Sequence, residues 1–362
     1  MSRPIAARIN IEAMRENLAR VRSAAHGRTV WAVVKADAYG HGLENAVKGF
    51  EEADGLALLE LQEAARARAA GWSKRILLIE GFFDVAEIAE MIRLGAETLV
   101  HSRWQIEALK NAARIHGKAS IKAHIKVNSG MNRLGFLPQE AAVVKAELES
   151  IPGVCVVDIV THFANAERPA EGAGYATVNE QLRRMAGLAG TAELCMANSA
   201  ATLMQKKVGG AAVRAGIVLY GVSPDAAVPE EKLSLCPVMT LASSIIAVRD
   251  VAPGEFVGYG SRWKAERPSR IGVVACGYAD GYPRCMPDGA PVWVEGARAA
   301  IAGAVSMDMI TIDITDIPEA HVGSDVELWG EHVCVNSLAS LCGTIGYELL
   351  TSVAKRVPRV AC

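Results

Sequence analysis

The sequence predicts an α/β fold, an N-terminal (β/α)8 barrel followed by a C-terminal mainly β domain, and three observations carry that expectation. Short apolar runs near residues 30, 55, 76, 97, 121, 155, 192 and 211 recur at fairly regular spacing, with a helical pattern between each and the next. Strands alternating with helices in this way build a parallel sheet, and eight such units close it into a barrel. No G-x-G-x-x-G follows the first strand, which counts against an open doubly wound sheet. Beyond Pro224 the rhythm changes to β-type runs separated by Gly and Pro turns. The expected domains are residues 1–225 and 226–362, with the first ~10 residues able to pack with the C-terminal domain.

Taken in order, Asn10 is placed to cap a helix over residues 11–25, whose Ile11, Met14, Leu18 and Val21 share one face. Residues Val30 to Val34 leave no helical stripe and read as a buried strand that delivers Lys35 at its carboxyl end, before the turn Gly40-His41-Gly42. Helices over 43–52 and 61–70 lead to strands at 55–59 and 75–79. Helices over 85–94, 105–116, 138–148 and 176–188 alternate with strands at 97–101, 121–127, 154–160 and 192–199. A short helix over 200–205 precedes the run 211–221. The alanine- and arginine-rich stretch 64–70 reads as a solvated helix face. Residues 223–231 read as a linker, and β-type runs follow at 238–248, 271–275, 291–294, 309–313 and 324–328, Pro253-Gly254 marking the first turn.

Composition narrows the function. With 38 basic and 40 acidic residues the net charge is −2, so no electrostatic case exists for nucleic acid or an anionic membrane as partner. Charges interrupt every apolar run before about 18 residues and the N-terminus lacks a signal-peptide core, so a cytoplasmic location is expected. The eight cysteines show no C-x-x-C and no paired histidine spacing. Neither a metal site nor a disulfide framework is expected, and most of the thiols read as small buried hydrophobes.

The chemistry centres on Ala32-Val-Val-Lys35-Ala-Asp-Ala-Tyr39-Gly-His-Gly42. A lysine at the end of such a strand either snorkels to the surface or, where desolvation favours the neutral amine, condenses with a carbonyl as a Schiff base. The stretch resembles the cofactor-lysine signature of the alanine racemase family, pyridoxal 5'-phosphate (PLP) enzymes with a (β/α)8 barrel and a C-terminal β domain. The resemblance implies that Lys35 binds PLP covalently and that Tyr39 gives its hydroxyl to the cofactor phosphate.

Racemisation removes the α-proton from one face of an amino acid and returns one to the other, which needs a carbanion stabiliser and an acid/base group on each side. By resemblance Lys35 serves one face, and Tyr259, in Phe256-Val-Gly-Tyr-Gly-Ser261, serves the other. A phenol, with an ordinary pKa near 10, is a poor base unless its anion is stabilised. Thr161-His162-Phe-Ala and Val213-Arg214-Ala-Gly resemble the segments whose histidine and arginine link the tyrosine towards the pyridine ring. A guanidinium stays protonated, so Arg214 facing the ring nitrogen would leave that nitrogen unprotonated, weaken the electron sink and suppress transamination. Outside these contexts His162 reads as a core histidine, Arg214 as a surface ion pair and Tyr259 as a turn aromatic.

The stretch His124-Ile-Lys126-Val-Asn128-Ser-Gly-Met-Asn-Arg133-Leu-Gly-Phe also resembles the racemases. It implies that Arg133 contacts the substrate carboxylate and that Lys126 is carbamylated. Asn128 replaces the aspartate common there, so a bound chloride is the alternative source of negative charge; strand-to-turn chemistry alone also accounts for Asn128-Ser-Gly130. Phosphate needs backbone donors more than charge, which suits Asn198, Ser199, Gly216 and Ile217, with hydroxyls from Tyr39 and Tyr347. Segments around Tyr278 and around Met307-Asp308 resemble the substrate entrance and the loop whose amide meets the carboxylate.

The resemblance, running from Ala32 to Tyr347, implies an isomerase that interconverts L- and D-alanine and supplies D-alanine. It further implies a homodimer in which Tyr259 of one chain faces Lys35 of the other. The alternatives are a decarboxylase of the same fold type, which would carry a cysteine opposite the lysine, a racemase of broader specificity, and a single-domain PLP carrier, which would end near residue 225.

Overall fold

The structure is a computed structural model that describes residues 3–116, 120–188, 190–205 and 207–362. A first strand, β1 (Ala6–Ile9), was not apparent from the apolar pattern. The barrel follows as β2 (Thr29–Val33), β3 (Gly55–Leu58), β4 (Arg75–Leu78), β5 (Ala96–Val100), β6 (Ile121–Lys126), β7 (Val154–Val160), β8 (Glu193–Ala197) and β9 (Ala212–Ala215). Each pairs in parallel with the next and β9 pairs back with β2, so the sheet closes as expected from the eight runs. Strands covered on both faces are mainly apolar, and β3, β5 and β9 are buried at every position, with Glu97 on β5 and Arg214 on β9 as buried charges.

Local chemistry sets the connecting helices. Asn10 caps the helix Ile11–Ala25, its Oδ1 accepting the Ala13 amide at 3.0 Å. The helix Leu61–Ala69 has a solvated face, with Gln62, Arg66 and Ala69 exposed, and a buried one on which Ala64 and Ala67 are fully covered. Inside the barrel, Trp31 of β2 reaches across to His124 of β6, the ring centroids 6.0 Å apart. Gly55 on β3 makes room for it, since a Cβ there would lie 2.3 Å from the indole. The run expected at 211–221 breaks after Ala215, and Ile217–Tyr220 forms a 3-10 turn instead of more strand.

The second part is an antiparallel sheet built from β10 (Met239–Val251), β13 (Ser269–Val274), β14 (Pro291–Val294), β15 (Ala297–Ile301), β16 (Ile310–Asp313) and β17 (Asp325–Trp329). A short hairpin, β11 (Phe256–Val257) and β12 (Trp263–Lys264), stands apart from it. β1 joins the sheet by pairing antiparallel with β10 and parallel with β18 (Arg359–Ala361). Two compact units result: residues 15–38 with 46–219, and the segments up to Met14, Tyr39–Asn45 and Tyr220–Cys362. Among the described residues no helix is long and apolar enough to cross a membrane.

The cysteine expectation is corrected. Cys195 and Cys276 are buried, whereas Cys155, Cys285 and Cys362 are exposed and the other three lie between. Their apolar neighbours in sequence sit on strands and turns whose alternate positions face outward, as Cys155 does on β7.

The lysine turn is also unlike the expected strand end. β2 stops at Val33, and Ala36, Asp37, Ala38 and Tyr39 all have φ between 51° and 56°, a left-handed turn built without glycine. An L-residue in this region is strained by about 1–2 kcal/mol, while glycine adds about 0.5–1 kcal/mol of unfolded-state entropy. Ala36 is exposed, so Ala36→Gly is expected to raise stability by about 0.5–1 kcal/mol, read as a higher Tm. A lower Tm would contradict the strain.

Candidate active site

Lys35 opens the left-handed turn and is half-buried. The helix Leu61–Ala69 braces the turn: Glu63 accepts the Asp37 amide at 3.2 Å and Arg66 donates to the Asp37 carboxylate at 2.9 Å. Strain at this point is therefore held by side-chain contacts on a neighbouring element.

Arg214 on β9 is buried and is no surface ion pair. Its Nη1 donates to the Cys195 carbonyl at 2.8 Å and to Cys195 Sγ at 3.0 Å, and its Nη2 donates to the Thr161 carbonyl at 2.6 Å. The same Nη2 lies 3.4 Å from His162 Nδ1. Burial, then the charges of Arg214, Lys126, Arg133 and Lys35, hold the His162 pKa well below the usual imidazole value. The ring is therefore neutral, and Nδ1 is the acceptor for Arg214, which leaves the ring proton on Nε2.

Lys126 ends β6, and burial followed by the charges of Arg214 and Arg133 lowers its pKa to about 7. Lys126, Asn128, Arg133, Thr161 and His162 line one crevice. The structure thus brings Lys35, Lys126, Arg133, His162 and Arg214 to the carboxyl-terminal mouth of the barrel, where barrel chemistry is found. Such a basin of positive charge suits an anionic ligand. Asn128 is engaged locally: its Oδ1 accepts the Gly130 and Asn132 amides, both at 3.0 Å, and its Nδ2 donates to Asn132 Oδ1 at 3.0 Å.

The residues expected at the phosphate divide between the two units. In the barrel, Ser199 Oγ accepts the Gly216 amide at 2.8 Å, joining the tips of β8 and β9. Asn198 caps the following short helix through the Ala201 amide at 2.9 Å, and Ile217 is buried beside Gly216. In the other unit Tyr39 stacks on Tyr220 with centroids 4.8 Å apart and meets Tyr347 at 6.1 Å. Burial pushes the Tyr39 phenol above its usual pKa, so it remains a hydroxyl donor.

Tyr259, by contrast, is 71% exposed, and Tyr278 and Met307 are 40% and 54% exposed. The loops carrying the last two meet through main-chain bonds, Tyr278 N–H to the Ser306 carbonyl at 3.0 Å and Ala279 N–H to the Met307 carbonyl at 2.9 Å. Asp308 points its carboxylate at Arg356, 2.6 Å away.

Residues 9–224 match the alanine racemase N-terminal domain and residues 238–361 the alanine racemase C-terminal domain. The chain belongs to the alanine racemase family. It is 49% identical over 361 residues to the alanine racemase of Erwinia tasmaniensis and 45% identical over 363 residues to the catabolic alanine racemase of Klebsiella aerogenes, with 99% of each chain covered in both cases. Among solved structures it is similar to the biosynthetic alanine racemase of Pseudomonas aeruginosa, with a TM-score of 0.92, 43% identity and 99% of both chains covered.

The racemase motifs do not reveal the braces beneath the site. Gln181 donates to Ser129 Oγ at 2.8 Å and to the His162 carbonyl at 2.9 Å, and Thr161 and Ser129 hydroxyls are 2.7 Å apart. Below Lys126, His124 lies between two buried carboxylates, with Nδ1 2.6 Å from Asp158 and Nε2 2.9 Å from Glu97, while Arg75 holds Glu97 through two bonds of 2.7 Å. The visible signal is the period-two series Lys122, His124, Lys126 in an otherwise apolar strand, which turns polar groups inward.

Burial alone would lower the His124 pKa, but the bonds to Asp158 and Glu97 outweigh it and raise the value. Burial would likewise raise Glu97, yet Arg75 and His124 bring it down from 4.5 to about 2. The Glu97 contribution to stability is therefore complete above pH 4.5 and is lost as pH falls through about 2. The His124 contribution is complete below its ordinary value of 6.5 and is lost as pH rises through its raised one. Glu97→Gln or Asp158→Asn breaks a buried charge pair and is expected to destabilise the fold by about 3–5 kcal/mol in denaturant titrations at neutral pH. A change below about 1 kcal/mol, the range of surface pairs, would contradict this account.

Proposed function

We propose that this chain is a PLP-dependent racemase that interconverts L- and D-alanine by a two-base mechanism. The observation that carries the reading is the basin of Lys126, Arg133, His162 and Arg214 gathered with the Lys35 amine at the barrel mouth. PLP, when bound, supplies the electron sink that stabilises the carbanion left by breaking the Cα–H bond. The donor set suits that group: an amine for its aldehyde, cations for its charge, and, by the family resemblance, Tyr39, Tyr347, Asn198, Ser199, Gly216 and Ile217 as those that would hold its phosphate. Arg214, whose position is held by Cys195 and Thr161, would face the ring nitrogen as a guanidinium donor.

Lys35 moves the proton on one face of the substrate and the Tyr259 hydroxyl moves it on the other. Arg133 and the main chain at Met307-Asp308 bind the substrate carboxylate, with Tyr278 bordering the entrance. A Lys126 amine with a pKa near 7 is available to take up carbon dioxide as a carbamate, releasing one proton; a chloride held by Arg133 is the other source of the anion. The functional division falls at residue 225, with 1–225 holding PLP and 226–362 supplying Tyr259. The exposed Tyr259, Tyr278 and Met307 support a two-fold dimer in which a second copy covers them and shares the site. Eight free cysteines fit a reducing, cytoplasmic setting.

The test is a panel of single enantiomers incubated with the PLP-loaded protein. L-alanine alone is expected to run to an equal mixture of L and D, as is D-alanine. Carbon dioxide release without inversion would move the chain to the decarboxylases, and equal rates on bulkier amino acids would broaden the specificity.

A further inference from the structure

We infer that Asp280 is a positioning residue that sets the loop bearing Tyr278 against the loop bearing Met307; the inference rests on the reading that these loops face the substrate. Asp280 is wholly buried and accepts four hydrogen bonds. Its Oδ1 takes Arg3 Nη1 at 2.9 Å and Arg356 Nε at 2.7 Å, and its Oδ2 takes Arg3 Nη2 at 3.2 Å and the Gly277 amide at 3.0 Å. Both guanidinia then continue to the second loop. Arg3 Nη2 donates to the Asp308 carbonyl at 2.9 Å, and Arg356 Nη2 donates to the Asp308 carboxylate at 2.6 Å. One buried carboxylate thereby ties residues 277–280 to residues 307–308 twice, through two different arginines.

The loops are also in main-chain contact too close for any residue but glycine at position 277. A Cβ there would lie 2.4 Å from the carbonyl oxygens of both Ser306 and Met307. The Asp280 carbonyl further accepts the Ala354 amide at 3.0 Å, which anchors the segment that carries Arg356. Two guanidinia and a main-chain amide converging on one carboxylate leave little freedom, because fork-shaped donors fix orientation as well as distance. Without the carboxylate the two arginines repel each other and the Gly277 amide loses its acceptor, so the loops, still joined by the main-chain bonds of Tyr278 and Ala279, shift against each other. The donor at Met307 then misses the substrate carboxylate in the ground and transition states alike, a loss of uniform binding that raises KM and leaves kcat.

Steady-state kinetics on the PLP-loaded enzyme test the inference with Asp280→Asn and Arg356→Gln. Each is expected to raise KM for alanine about tenfold with kcat changed less than about threefold. The inhibition constant of propionate, which has the carboxylate but no amine, is expected to rise in parallel, and the visible absorption of bound PLP to stay unchanged. Arg356 is partly exposed, so its variant reports even if Asp280→Asn fails to fold. Unchanged KM and propionate affinity in folded Arg356→Gln enzyme would overturn the inference. Tyr278→Ala separates the levels. If it raises KM while Arg356→Gln does not, the loop faces substrate and the clamp alone is wrong; if neither does, the assignment of this loop to the substrate falls with it.

Discussion

Lys35→Ala is expected to abolish racemisation, a loss of at least about 10³-fold in kcat, and to remove the covalent attachment of PLP proposed at this residue. Lys126 has a pKa near 7 but lies at the end of β6 among Arg133, Arg214 and His162, whereas Lys35 follows β2 on a turn braced by Glu63 and Arg66. Borohydride reduction and peptide mapping check the attachment directly: the label is expected on the Lys35 peptide of the unmodified chain and on no peptide of the variant. A reducible adduct that survives Lys35→Ala would remove Lys35 from the site.

Tyr259→Phe is expected to lower racemisation by about 10²–10⁴-fold while PLP stays bound, because the attachment needs Lys35 and the phosphate donors but not the phenol. The two variants therefore differ in absorption though both are inactive. A pH profile adds a second check. His162 is held neutral by burial and by its cationic neighbours, so it contributes no ionisation near neutral pH, whereas Lys126, if left as a free amine, titrates near 7.

The barrel was legible because each strand is a short apolar run and each helix a periodic one, so the eightfold alternation survives in sequence even where ends shift by a residue or two. Lys35, Arg214 and His162 are singled out by their flanking words alone, and the burial of Arg214 and its 3.4 Å approach to His162 are geometry that words do not carry. The left-handed turn after Lys35 was not legible, since positive φ at Ala36, Asp37, Ala38 and Tyr39 contradicts residue preference and is held by contacts from another helix. β1 and β18 are too short to give a pattern, and they pair with each other across almost the whole chain. The Arg3–Asp280 bond joins positions 277 residues apart, so no local signal marks it. Asn128, singled out for its departure from aspartate, proves to be occupied within its own turn.

The central claim is that one site needs Lys35 of one chain and Tyr259 of another. Mixing Lys35→Ala and Tyr259→Phe protomers, each inactive alone, tests it most directly. Random reassembly makes about half the dimers mixed, each with one intact site of two, so activity is expected to return to about a quarter of that of the unmodified enzyme. Mixed dimers verified by mass that remain inactive would contradict the shared site, and a fully active Tyr259→Phe homodimer would contradict the two-base mechanism.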